Sequence, residues 1–182
     1  MIVGNKKLSK AEREDIAETR EAAKDISETA TENVTLKAYL TGEVISLKEV
    51  GDGVFSEGIM GEGLAIRPEN NILYAPVDAT VTVLMEDSCH AVGLTMDNGM
   101  EILLHVGIDT VDMQGDGFTY LVTENQKVKT GDPLIRFDRE KIKKAGHPDV
   151  TVCVITETGN TSPLIFHTGI HAEAGKTEIG GQ

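Results

Sequence analysis

The feature of this sequence that most constrains its fold is a series of short β-type runs that begins near Leu40. Gly, Asn, Asp and Pro separate the runs at close intervals, which is typical of an antiparallel sandwich or barrel. We therefore predict an all-β protein, an antiparallel β-sandwich or barrel-sandwich hybrid. The runs are VISL (44–47), GLAI (63–66), ILYAP (72–76), TVTVLM (80–85), HAVGLTM (90–96), MEILLHV (100–106), PLIRF (133–137) and TVCVIT (151–156).

One short helix and an N-terminal tail complete the predicted organisation. Asp138 can cap a helix within residues 136–146, which Gly146 ends. Residues 1–38 are charged, rich in Ala and Glu, and lack an apolar stripe of helical period. We interpret residues 1–38 as a helical or disordered acidic tail and residues 39–181 as the folded domain.

Charge and composition exclude several classes of function. Thirty acidic residues against 17 basic ones give a net charge of -13, which repels nucleic acid and anionic lipid and favours a basic protein partner. No apolar run approaches the roughly 20 residues of a membrane span, and the N-terminus lacks a signal-peptide core. We expect a cytoplasmic monomer that does not insert into a membrane. Two cysteines, Cys89 and Cys153, are too few for a disulfide framework.

The segment HAVGLTMDNGMEILLHVG (90–107) predicts a hairpin that brings two histidines together. Asn-Gly is the preferred pair for a two-residue type I′ turn, which would set Asp97 opposite Met100 and His90 opposite Gly107. His90 and His105 would then be diagonal neighbours on one face, about 7–8 Å apart at the backbone. On that face we expect Val92, Leu94 and Leu103, with open space over Gly107.

Two adjacent imidazoles can have one of three roles. They can simply pack, they can bind a metal, or one can act as a nucleophile and the other as its partner. A zinc-dependent hydrolase needs at least a third protein ligand, and the residues after His105 do not supply a usual one; we predict no metal and no cofactor. A nucleophilic imidazole could attack phosphorus, with Ser88 orienting a ring. A regulatory binding module without chemistry stays open as a further alternative.

The run GMEILLHVGIDTV (99–111) resembles the phosphorylation-site signature of the glucose-class enzyme IIA of the bacterial phosphoenolpyruvate-dependent sugar phosphotransferase system. The resemblance extends from about Leu40 to Gly180. Flanking segments that share it are GEGLAIRPENNILYAPVDATVTVL (61–84), DSCHAVGL (87–94), GDGFTYLVTENQKVKTGDPLIRFD (115–138) and HAEAGKTEIG (171–180).

The resemblance implies a phosphohistidine carrier. His105 would accept a phosphoryl group on Nε2 from the phosphocarrier protein HPr, and the cysteine of a IIB domain of a sugar permease would receive it. His90 would be the stabilising partner, and Ser88 stands where the family often has Thr. The sugar, and whether this is a freestanding subunit or part of a larger permease, stay open. The YAPVDATV segment also resembles lipoyl carrier domains, but no lysine occupies the hairpin tip.

The resemblance also implies a docking face, and the chemistry of imidazole predicts a pH dependence. Asp109 beside the site would suit arginines of a basic carrier. Protonation of the imidazole predicts that phosphoryl acceptance fails below about pH 6. The expected docking residues are Val54, Phe55, Ile59, Met60, Val92, Leu103 and Asp109.

Overall fold

The predicted β-runs become strands of three antiparallel sheets in a computed structural model, which describes Lys10 and residues 31–182. The bounds are β1 (Thr35–Lys37), β2 (Gly42–Ser46), β3 (Glu62–Pro68), β4 (Ile72–Tyr74), β5 (Ala79–Leu84), β6 (Ala91–Thr95), β7 (Glu101–Val106), β8 (Phe118–Tyr120), β9 (Lys127–Val128), β10 (Pro133–Phe137), β11 (Thr151–Glu157), β12 (Ile165–Phe166), β13 (Ile170–Ala172) and β14 (Glu178–Gly181). The all-β prediction is confirmed.

The large sheet has eight strands in the order β13-β2-β3-β11-β7-β6-β5-β9. Two three-stranded sheets have the orders β1-β14-β12 and β4-β10-β8. The connections between strands contain two 3₁₀ turns, Leu47–Val50 and Thr110–Met113, and a helix α1, Arg139–Lys144. The Asp138 carboxylate accepts a hydrogen bond from the Lys141 backbone, as expected for the predicted helix cap.

The central strands of the large sheet are buried on both faces. On β7, Ile102 and Leu104 join the main core, whereas Leu103 packs against a second, smaller cluster. On β11, Cys153 belongs to the main core and Val152 to the smaller cluster. Because side chains of a strand alternate between faces, β7 can present His105 on the side of the smaller cluster.

The folded unit begins earlier than predicted. The chain divides into Met1–Thr31 and Glu32–Gln182, and the predicted tail falls largely outside the described residues. Its last residues do not belong to a solvated tail, since β1 pairs with β14 and Leu36 and Ala38 are fully buried. The run at 72–76 predicted the three-residue strand β4, but β1, β8, β9, β12, β13 and β14 have two to four residues, too few to show an alternation of apolar and polar side chains, and the sequence pattern missed them.

The hairpin between β6 and β7 has a different turn from the one predicted. Thr95 pairs with Glu101. The Met96 N–H donates to the Met100 carbonyl oxygen, and the Gly99 N–H donates to the Met96 carbonyl oxygen. The loop therefore has three residues, with only Gly99 at positive φ (89°). As a result, Ala91, and not Val92, lies opposite His105.

The main core gives a test of stability. We expect Leu104→Ala to lower the free energy of unfolding by about 2–5 kcal/mol, because it leaves a cavity at a fully buried position. Val83→Ala, at a side chain that is 47% exposed, should cost less than about 1 kcal/mol. Urea unfolding measures both, and equal losses would contradict the assignment of Leu104 to the core.

Candidate phosphoryl-transfer site

His105 is the fifth residue of β7 and lies between two neighbouring strands. Its backbone pairs with Ala91 on β6 and with Val152 on β11. The ring is partly exposed and belongs to the face that carries the smaller apolar cluster. The strand thus fixes the backbone of His105 on both sides and leaves its ring accessible at one face.

The His90 ring meets the His105 ring, as predicted, but for a different reason. The ring centroids are 4.6 Å apart and the ring planes meet at 82°. The observed ladder puts the His90 carbonyl opposite Val106, whose N–H donates to it at 2.8 Å, and strict alternation would then separate the two rings. His90 precedes the first residue of β6 and follows Cys89 in the left-handed region (φ 53°), so strand alternation does not govern its side chain.

A hydrogen bond from His105 to the backbone fixes which ring nitrogen carries the proton. His105 Nδ1 lies 2.8 Å from the Gly107 carbonyl oxygen. A carbonyl oxygen only accepts, so Nδ1 donates, and in the neutral ring Nε2 keeps its lone pair. The ring is therefore oriented for attack through Nε2.

Gly107 is tightly packed, which corrects the expectation of open space over it. Its φ of 73° is in the left-handed region. A Cβ at this position would lie 2.5 Å from Thr110 Cγ2 and 3.0 Å from the Pro148 carbonyl oxygen. The Thr110 hydroxyl in turn donates to the Val106 carbonyl oxygen. Only glycine fits the turn that aims this carbonyl at His105.

Ser88 holds the second ring. His90 Nδ1 lies 2.7 Å from Ser88 Oγ, and both residues are buried. A serine hydroxyl can donate as well as accept. When it donates to Nδ1, His90 Nε2 carries the proton and becomes a hydrogen-bond donor.

Burial keeps both rings neutral. Burial, with a smaller effect of His105, lowers the pKa of His90 to about 4. Burial also lowers the pKa of His105, although the Gly107 carbonyl and the carboxylates of Asp52 and Asp109 act in the opposite direction. Near pH 7 both rings are therefore unprotonated.

Phe55 and Asp52 come to the site from the segment between the first 3₁₀ turn and β3. The Phe55 ring packs on His105 with centroids 5.0 Å apart. Burial opposes ionisation of Asp52, but hydrogen bonds from the Ser56 and Phe55 backbones hold its pKa below the ordinary value. The sequence did not predict that Asp52 acts on His105. An Asp-Gly pair indicates a turn, but it does not indicate which distant residue lies near that turn.

The expected docking residues divide into three groups. Val54, Ile59 and Met60 are 48%, 72% and 40% exposed, and Asp109 is exposed as well. Phe55 is buried against His105, and Leu103 is partly buried. Val92 is fully buried, because the observed register pairs it with Leu104 on the main-core face, so it cannot contact a partner.

The described residues also bear on the alternatives. Within residues 31–182 and Lys10, no group of three or more His, Cys, Asp or Glu side chains could hold a metal ion. A zinc-hydrolase site would need a third ligand beside the histidine pair. No helix in this part of the chain is long and apolar enough to cross a membrane.

Comparisons with known proteins agree with the geometry. The family model for EIIA 1 of the phosphoenolpyruvate-dependent sugar phosphotransferase system matches residues 34–161. The glucose permease IIA from Mycoplasma capricolum is a similar solved structure, with 33% sequence identity and a TM-score of 0.75. The match covers 82% of this chain and 96% of that one. The chain belongs to the EIIA 1 family of the phosphoenolpyruvate-dependent sugar phosphotransferase system.

Proposed function

We propose that this protein is a phosphohistidine carrier, with His105 Nε2 as the acceptor. The observation that carries the proposal is the hydrogen bond from His105 Nδ1 to the Gly107 carbonyl, because it leaves Nε2 unprotonated in a neutral ring. Family membership gives the protein a role in sugar phosphotransfer, and the specific donor and acceptor are part of this proposal.

The transfer has two steps. The His105 Nε2 lone pair attacks phosphorus of phospho-HPr, an N–P bond forms, and the electron pair of the broken N–P bond returns to the HPr imidazole. A cysteine thiolate of the IIB domain then attacks the same phosphorus, and the His105 ring leaves as a neutral imidazole. Both steps demand mainly placement and stabilisation of charge on the phosphoryl oxygens.

His90 and the apolar surroundings supply that placement. With the Ser88 hydroxyl donating to His90 Nδ1, His90 Nε2–H can donate to a phosphoryl oxygen beside His105. Phe55 covers one side of the His105 ring and limits access of water to the phosphoryl group. Val54, Ile59 and Met60 offer exposed apolar contacts for both partners on the segment that carries Phe55.

Phosphorylation of histidine variants tests the proposed roles. Incubation with enzyme I, HPr and phosphoenolpyruvate should label the wild type and leave His105→Ala unlabelled. We expect His90→Ala to accept label but to pass it to a IIB domain about 10²-fold more slowly, since it loses a donor to the phosphoryl oxygens. Label retained in His105→Ala would reassign the acceptor, and an unlabelled wild type would favour a regulatory module.

The acidic groups beside His105 give a test of docking. We expect Asp109→Asn to raise the KM for phospho-HPr about tenfold and to weaken its dependence on salt, because a basic carrier loses one opposite charge. Asparagine also adopts the left-handed backbone (φ 60°) that Asp109 has. Glu124→Gln is the matched control, as Glu124 precedes β9, which pairs with the opposite end of β5 from His90. Equal KM values for the two variants would contradict the docking role.

The lowered pKa of His105 agrees in direction with the predicted pH dependence. Protonation would block Nε2, and a pKa below the ordinary 6.5 moves that loss to lower pH. We therefore expect the midpoint of the loss of acceptance to lie below pH 6.5. Nitrogen NMR of the rings should give titration midpoints below 6.5 for His105 and about 4 for His90. His90→Gln assigns the signals, and a midpoint at or above 6.5 for His105 would contradict the neutral acceptor.

A further inference from the structure

The loop between β5 and β6 carries both Ser88 and His90. Where this loop begins and ends, the two strands no longer pair directly with each other. The last pair of the β5–β6 ladder is Leu84 with Val92. Extending that register by one residue would set Met85 opposite Ala91. The ladder instead stops there, and the loop from Met85 to His90 follows.

The phenol of Tyr120 bridges the two ends of this loop. Its oxygen accepts a hydrogen bond from the Met85 N–H at 2.8 Å and donates one to the Ala91 carbonyl oxygen. Burial raises the pKa of Tyr120, so the hydroxyl keeps the proton that it donates. Tyr120 is the last residue of β8, which belongs to a different sheet from β5 and β6.

Between Met85 and Ala91 the backbone bends sharply. The N–H groups of Cys89 and Ser88 both donate to the Met85 carbonyl oxygen, at 2.7 and 3.2 Å. Cys89 has a φ of 53°, a conformation that non-glycine residues keep only where the surrounding structure holds them. Ser88 and His90 flank Cys89, so whatever holds this bend also holds both side chains.

We propose that Tyr120 is a positioning residue that fixes the Met85–Ala91 loop and thereby directs the His90 ring toward His105. The consequence for phosphoryl transfer rests on the proposed carrier function. The effect on the His90 ring does not, because the bridge belongs to the resting protein.

Tyr120→Phe removes the hydroxyl and keeps the ring. We expect wild-type His90 to show one dominant tautomer by nitrogen NMR, and the variant to show a mixture of tautomers with broadened signals. Transfer from the phosphorylated protein to a IIB domain should fall about tenfold in kcat with little change in KM, because the donor to the phosphoryl oxygens is misplaced and the docking surface is intact.

Tyr74→Phe is the matched control. Tyr74 is also half-buried at the end of a strand in the same sheet, and its hydroxyl makes no hydrogen bond within residues 31–182. We expect its His90 signals and its kcat to equal those of the wild type. The proposal is overturned when Tyr120→Phe matches Tyr74→Phe in both measurements, with circular dichroism showing that both are folded.

A measurement on the wild type tests the bridge without any variant. The Met85 N–H should exchange slowly with solvent, because the phenol occupies it, and fast exchange would overturn the proposal. These NMR results do not depend on phosphorylation. A wild type that takes no phosphoryl group would therefore reject the carrier function. The NMR measurements would still decide whether Tyr120 positions His90.

Discussion

The site depends on one hydrogen bond, from His105 Nδ1 to the Gly107 carbonyl oxygen. It joins residues two apart in sequence, so a strand alone cannot make it; the chain must turn back directly after β7. Gly107 provides this turn at φ 73°, and Thr110 and the Pro148 carbonyl fill the volume that a side chain would need. The Ile108 N–H also donates to the Pro148 carbonyl, which fixes the turn from the other side. The tautomer of His105 is therefore set by backbone geometry.

Burial on both faces of the large sheet explains why the rings stay neutral. His105 lies on the face of the smaller apolar cluster, opposite Val152 and against Phe55. This environment disfavours a charged imidazole, and the carboxylates of Asp52 and Asp109 only partly oppose it. For the proposed carrier, a neutral imidazole near acidic groups is a useful combination, since the carboxylates can attract a basic partner while the ring stays unprotonated at neutral pH.

The sequence predicted the strands well wherever runs of five or more residues alternate or are continuously apolar, as β5, β7 and β11 do. It predicted the meeting of His90 and His105 through a register that is one residue out. Asn98-Gly99 suits a two-residue type I′ turn, but also a three-residue loop in which glycine alone has positive φ, and sequence cannot separate the two. This one-residue difference moved Val92 from the expected docking face into the core.

Contacts between distant segments were beyond sequence reasoning, and they divide the site into two parts. His105 is held by its own strand and by the turn that follows it, which the signature in residues 99–111 encodes locally. His90 is held by a short loop whose hydroxyl partner is Ser88 and whose ends are joined by Tyr120, from another sheet. The orienting hydrogen bond of the proposed acceptor is thus made between neighbours in sequence, with Pro148 supporting the turn, whereas the orientation of the His90 ring depends on a residue from another sheet. A change far from the histidines in sequence can therefore alter the orientation of the His90 ring while the His105 ring keeps its hydrogen bond to Gly107.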